Sequence, residues 1–174
     1  LGTVAGAGST PLVNGSNYCA TEEANEPNVS GGFLFFSFPY DETVWFTFTT
    51  NSNPGTINVE ISNANGIDAN INVYRPNGWP TCDFNDLVQI ASADNLISPN
   101  VNVDLECLAP NTPYYVQVDG LDLIGDYGTF DIQVHDDGVP LPQSPNDSIC
   151  AAINLGGVPA GGSTPLQSGN NLCA

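Results

Sequence analysis

Apolar and polar residues alternate with a period of two in six stretches of this chain: "VWFTFTT" (44–50), "TINVEIS" (56–62), "NINVYR" (70–75), "VNVDL" (101–105), "YYVQVD" (114–119) and "GTFDIQV" (128–134). Ile57, Val59 and Ile61 fall on one face of their stretch, as do Phe130, Ile132 and Val134 of theirs, which is the pattern of half-buried antiparallel strands. "GGFLFFSF" (31–38) and "LVQIASA" (87–93) are strand-like with a less regular alternation. Between these stretches lie "NSNPG", "NANG", "RPNG", "APNTP" and "LIGDYG", all rich in residues that favour turns. No stretch carries a helical period bounded by capping residues. About eight short strands punctuated by turns predict an all-β protein, an antiparallel β-sandwich of jelly-roll type.

The alternation stops at "HDDGVPLPQSPNDSIC" (135–150), where Pro140, Pro142 and Pro145 crowd a short polar stretch. Proline cannot continue a sheet ladder and favours an extended, semi-rigid connection. The expected organisation is a sandwich domain over 1–137, a proline-rich linker over 138–147 and a further segment over 148–174. That last segment explains itself by comparison with the first. "LGTVAGAGSTPLVNGSNYCA" (1–20) and "LGGVPAGGSTPLQSGNNLCA" (155–174) align without a gap, and twelve of their twenty positions are identical. An offset of 154 residues, from Leu1 to Leu155, is the size of a globular domain and far exceeds a solenoid period of roughly 20–50 residues. The chain therefore reads as one full period of a diverged tandem repeat followed by the leading segment of the next copy. That segment could follow on a string of domains or complete a neighbouring copy by strand addition.

Five cysteines are an odd number for an oxidised protein. The repeat accounts for the excess, because Cys173 is the second copy of Cys19. The economical pairing joins Cys150 to Cys173 and Cys82 to Cys107 and gives Cys19 a partner upstream. Four cysteines allow three pairings, and reduced cysteines in a cytosolic protein are the alternative. No CxxC or Cys/His cluster suggests zinc.

Charge narrows the functions. The chain has no lysine, one arginine (Arg75) and 19 carboxylates, for a formal net charge of −18. Such a surface repels nucleic acid and anionic membranes, and its self-repulsion points to a saline or calcium-containing exterior. With 41% apolar residues in alternating order, the chain has material for a core and differs from disordered acidic segments. No apolar run approaches the ~20 residues of a membrane span. Leu1 carries neither an initiator methionine nor a signal peptide and is expected to be an internal position of a secreted precursor.

"NDSICAAINLG", "STPLVNGSNYCATEEANEP", "ETVWFTFTTNSNPGTINVEI", "GIDANINVYRPNGWPTC", "QIASADN" and "LAPNTPYYVQVDGLDLIGDYGTFDIQV", in that cyclic order, resemble the bacterial pre-peptidase C-terminal domains over almost the whole period. The resemblance implies a calcium-associated jelly roll without catalysis, attached to secreted enzymes or repeated in large surface adhesins of gliding, type IX-secreting bacteria. Where the family has an acidic pair, this chain has Asp94-Asn95.

Hard oxygen ligands at turns are abundant, so calcium is the expected cofactor. The candidate ligands are Asp68, Asp94 and Asn95, then Asp119, Asp122 and Asp126 of "DGLDLIGD", and the pair Asp136 and Asp137. The same residues are also ordinary turn formers. His135, the only histidine, stands beside Asp136 and Asp137 without a nucleophile elbow, which reads as a solvated strand end and not a triad. Trp79, between Pro76 and Pro80 and three residues before Cys82, could stack on a sugar, enter a protein interface or cover the disulfide. Trp45 reads as packing, and Arg75 is expected to pair with a carboxylate. "NGS" (14–16), "NVS" (28–30) and "NDS" (146–148) fit the N-glycosylation pattern, and Asp147-Ser148-Ile149 looks like an O-glycosylation signal at Ser148. The expected function is a non-enzymatic structural or adhesive repeat whose partners are neighbouring copies and a cell-surface or glycan target. The alternative is a collagen- or carbohydrate-binding module of a secreted hydrolase.

Overall fold

The structure, a computed structural model, describes residues 1–27, 42–78, 83–94, 98–120, 127–141, 160–164 and 166. Among these, nine strands follow one another: β1 (Gly2–Thr3), β2 (Val13–Ser16), β3 (Val44–Thr49), β4 (Ile57–Asn65), β5 (Ala69–Pro76), β6 (Leu87–Asp94), β7 (Val101–Leu105), β8 (Pro113–Gly120) and β9 (Thr129–Asp136). All six regularly alternating stretches are strands, and so is "LVQIASA"; "GGFLFFSF" lies outside the described residues. One 3-10 turn, Phe84–Asp86, precedes β6. Asp83 caps it by accepting the Asn85 N–H at 3.0 Å, and these bonds hold the Asp83 carboxyl below its ordinary range.

The strands form two sheets, ordered β1-β3-β8-β5-β6 and β2-β9-β4-β7. From β2 onward each strand crosses to the opposite sheet, except for the β5-β6 pair. This is the strand order of a jelly roll, with β1 added in parallel at the edge of one sheet. Two strands were not legible in the alternation: β1 and β2 are short, and "GT" and "VNGS" carry little apolar signal. They occupy one edge of each sheet, so the leading segment closes one side of the sandwich.

The alternating residues meet between the sheets. Ile57, Val59, Ile61, Ile71, Val73, Val116, Val118, Ile132 and Val134 are fully buried there. Strands β5 and β8 depart from the half-buried expectation, since Ala69 through Tyr74 and Val116 through Gly120 are buried on both faces. On the face turned away from the core, Asn70, Asn72 and Tyr74 lie beside Gln117 and Asp119 of β8. Trp45 packs on Tyr74 and Phe84, with ring centroids 5.4 and 5.5 Å apart.

Candidate functional site

The leading segment is seated by a few residues of high consequence. Val4 is completely buried in the core, and its N–H donates to the Thr49 carbonyl at 2.9 Å. Thr10, also buried, donates its N–H to the Val134 carbonyl at 2.9 Å and accepts the Val134 N–H on Oγ1 at 3.1 Å. Gly15 lies against the Phe130 ring so closely that a Cβ there would overlap it. Asn17 is fully buried and accepts the Gly128 N–H at 2.7 Å. These contacts make β1 and β2 part of the domain, although neither strand has the hydrophobic alternation of the others.

His135 belongs to this seat. Its Nδ1 is 2.6 Å from Ser9 Oγ and its Nε2 is 3.3 Å from Glu60 Oε2, an ion pair when the ring is protonated. It is half-buried and bonded on both sides, which corrects the expectation of a solvated strand end. Its carboxylate partner is Glu60 across the β4-β9 ladder; Asp136 points to the opposite face of β9, and Asp137 Oδ1 is taken by the Thr56 and Val139 N–H groups. Ser9 pairs with His135 in an isolated antiparallel β-bridge.

A second constellation, unannounced in the sequence, lies on the outer face of the β8 sheet. The Glu26 carboxylate is buried there. Its Oε1 accepts from Thr43 Oγ1, from Trp45 Nε1 at 2.6 Å and from Gln117 Nε2 at 3.1 Å, while Oε2 accepts the Glu23 N–H at 2.9 Å. Tyr74 donates to Gln117 Oε1 at 2.7 Å and extends the network across β5. Such a carboxylate is tolerable because each oxygen is hydrogen-bonded. The network ties the crossover after β2 onto β3 and β8.

The acidic calcium candidates divide between the two ends of the sandwich. At one end, Asp94, Asn70 and Asp119 stand side by side in register across β6, β5 and β8, with exposed Asp68 in the preceding turn. Asp119 is buried and accepts the Gly120 N–H at 2.8 Å. At the other end, Asp136 Oδ1 accepts the N–H groups of Gly55 at 3.1 Å and Gly138 at 2.7 Å, and Oδ2 accepts from Asn51. Asp137 Oδ1 accepts those of Thr56 and Val139, both at 2.9 Å. Asp136 and Asp137 therefore clip the β3-β4 turn to the end of β9, the turn-forming role. Among the described residues, no three of His, Cys, Asp and Glu converge to hold a metal ion. Asn95, Asp122, Asp126, Trp79, Ser148, Cys82, Cys150 and Cys173 lie outside the described residues.

Arg75 is exposed and forms no ion pair with a described carboxylate, contrary to expectation. A solvated guanidinium gains little from such a pair. It lines a cleft of about 420 Å³ at the β6-β7 side, with Asp104, Glu106, Leu108, Cys107 and Tyr114. Burial pushes the Tyr114 hydroxyl up from its ordinary range, and that oxygen accepts the Ala109 N–H at 2.9 Å. Cys19 is an exposed free thiol at φ 61°.

No family model matches the chain, and no curated protein matches it. Among solved structures it is similar to the pre-peptidase C-terminal domain of a collagenase from Bacillus anthracis, with 17% identity, TM-score 0.44, and coverage of 77% of this chain and 90% of that one. It is also similar to PliG, a periplasmic lysozyme inhibitor of g-type lysozyme from Aeromonas hydrophila, with 19% identity, TM-score 0.41, and coverage of 77% and 95%. Likenesses this distant add nothing to the jelly-roll assignment, which rests on the strand order.

Proposed function

We propose that this chain is a non-enzymatic structural or adhesive repeat of a long extracellular protein, of the kind its resemblance to pre-peptidase C-terminal domains suggests. The observation that carries this reading is the leading segment: it closes one side of the sandwich, and its sequence recurs from Leu155 onward. A domain whose closing element is repeated one domain length later is suited to stand in a row of copies that each contact their neighbours. The contact of Ser9, His135 and Glu60 is assigned to seating this segment. Ser9 is held in a β-bridge on the outside of a sheet, without the sharp strand-to-helix turn that presents a nucleophilic hydroxyl to a substrate carbonyl.

The same reading joins Cys107 to Cys82 and Cys150 to Cys173, and gives Cys19 a partner in the preceding copy. It keeps calcium as the ion of the acidic turns, with Asp68, Asp94, Asn95, Asp119, Asp122 and Asp126 as candidate oxygen donors, and puts a glycan on Ser148 in the linker. Electron microscopy of the native material tests it through the axial spacing. Density continuous from one domain into the next, repeating at one domain length, is expected. Isolated particles without continuity would reject the repeat reading and favour an accessory binding module.

A further inference from the structure

The two copies of the leading segment differ in an ordered way. The positions that seat the first copy keep their residues in the second: Val4 corresponds to Val158, Ser9 to Ser163, Thr10 to Thr164, Gly15 to Gly169 and Asn17 to Asn171. The eight changed positions are all exposed or half-buried in the first copy. Substitutions tolerated only where a side chain faces water are the mark of a surface that still has to fit something. The fit retained is to the seat: a valine for the core, a threonine bonded to the β9 backbone, a glycine under an aromatic ring and an asparagine on a buried N–H.

Backbone geometry points the same way. Residues 6–7 and residues 160–161 form turns at matching positions. Ala7 has φ 53° and its counterpart Gly161 has φ 73°, so both second turn residues occupy the left-handed region, which glycine adopts without cost. On this chain the seat is filled by residues 1–17, and Thr164, the counterpart of the buried Thr10, is only half-buried.

We infer that residues 155–171 are shaped to occupy the β1-β2 seat of a second copy of this sandwich. In that copy Val158 enters the core beside β3, Thr164 bonds the backbone at the partner's Val134, Gly169 lies under the partner's Phe130, and Asn171 accepts the N–H of the partner's Gly128. Ser163 meets the partner's His135. This rests on the repeat reading and names the surface through which one copy would engage the next.

A graft tests it in the full chain. The substitutions Thr3→Gly, Ala5→Pro, Gly6→Ala, Ala7→Gly, Val13→Gln, Asn14→Ser and Ser16→Asn give positions 1–17 the sequence of residues 155–171. The grafted chain is expected to melt cooperatively with a Tm within about 6 °C of the parent, a shift of the size of one or two lost surface contacts. Adding Val4→Asp is expected to lower the Tm by more than about 10 °C in the parent and in the graft alike. A graft without a cooperative transition would overturn the inference, because the second copy would not fit the seat. So would a graft that melts normally and is indifferent to Val4→Asp, since the valine would not be its anchor. Either result alongside a one-domain axial repeat in the native material would leave the repeat reading standing and remove this docking role alone.

Discussion

Glu26 shows how one residue can organise a surface that carries no alternating signal. Its two oxygens take four donors, from Glu23, Thr43, Trp45 and Gln117. Glu26→Ala would leave the buried Thr43 hydroxyl and the part-buried Trp45 N–H without this acceptor and Gln117 with only the Pro27 carbonyl, which is expected to cost about 3 kcal/mol and lower the Tm by roughly 6–12 °C. A thermal melt followed by tryptophan fluorescence checks this, and coincident melts of variant and parent would refute it. Glu26→Gln is expected to lose less, because one amide oxygen can keep the three Oε1 donors. None of this was legible beforehand. Three of the donors come from residues 17, 19 and 91 positions away, and no local pattern in "NEPN" announces a buried carboxylate. His135 was visible as a lone histidine, yet Ser9 and Glu60 lie 126 and 75 positions from it.

At the scale of elements, the strands that bury one apolar face were legible, and those held by other means were not. β4, β7, β8 and β9 follow directly from the order of their residues, since a period of two sets every second side chain between the sheets. β1 and β2 are fixed by isolated anchors, and the comparison of the two copies retains these together with exposed residues such as Gly2, Pro11 and Leu12, so it does not single them out. The β3-β4 turn is likewise held from a distance, by Asp136 and Asp137. Gly55 is required beneath them, because a Cβ there would overlap Asp137 Oδ1 and press on the Val139 nitrogen. Asp136→Ala is expected to cost about 2–3 kcal/mol by leaving the Gly55 and Gly138 N–H groups unpaired. Hydrogen exchange should show these two amides and their turn opening faster while the β4-β9 ladder stays protected. Unchanged exchange at both would contradict the clip.

Across the whole molecule, the charge of −18 meets almost no compensating cation within the domain. Sodium chloride is therefore expected to raise the Tm by screening this self-repulsion. Calcium at matched ionic strength is expected to raise it further if carboxylates at the Asp94 and Asp119 end hold the ion. Calorimetric melts in the two salts decide this, and equal curves would reduce calcium to a screening ion. The direction of β1 has a mechanical consequence. β1 runs parallel to β3, toward the end of the sandwich where β9 finishes. Tension applied backward along β1 and forward beyond Asp136 would draw the two strands toward opposite poles. The β1-β3 ladder would then be loaded lengthwise, in shear, so that its hydrogen bonds yield together. Val4 would have to leave the core before any force reached β2, making a single buried valine the first latch of the sandwich under load.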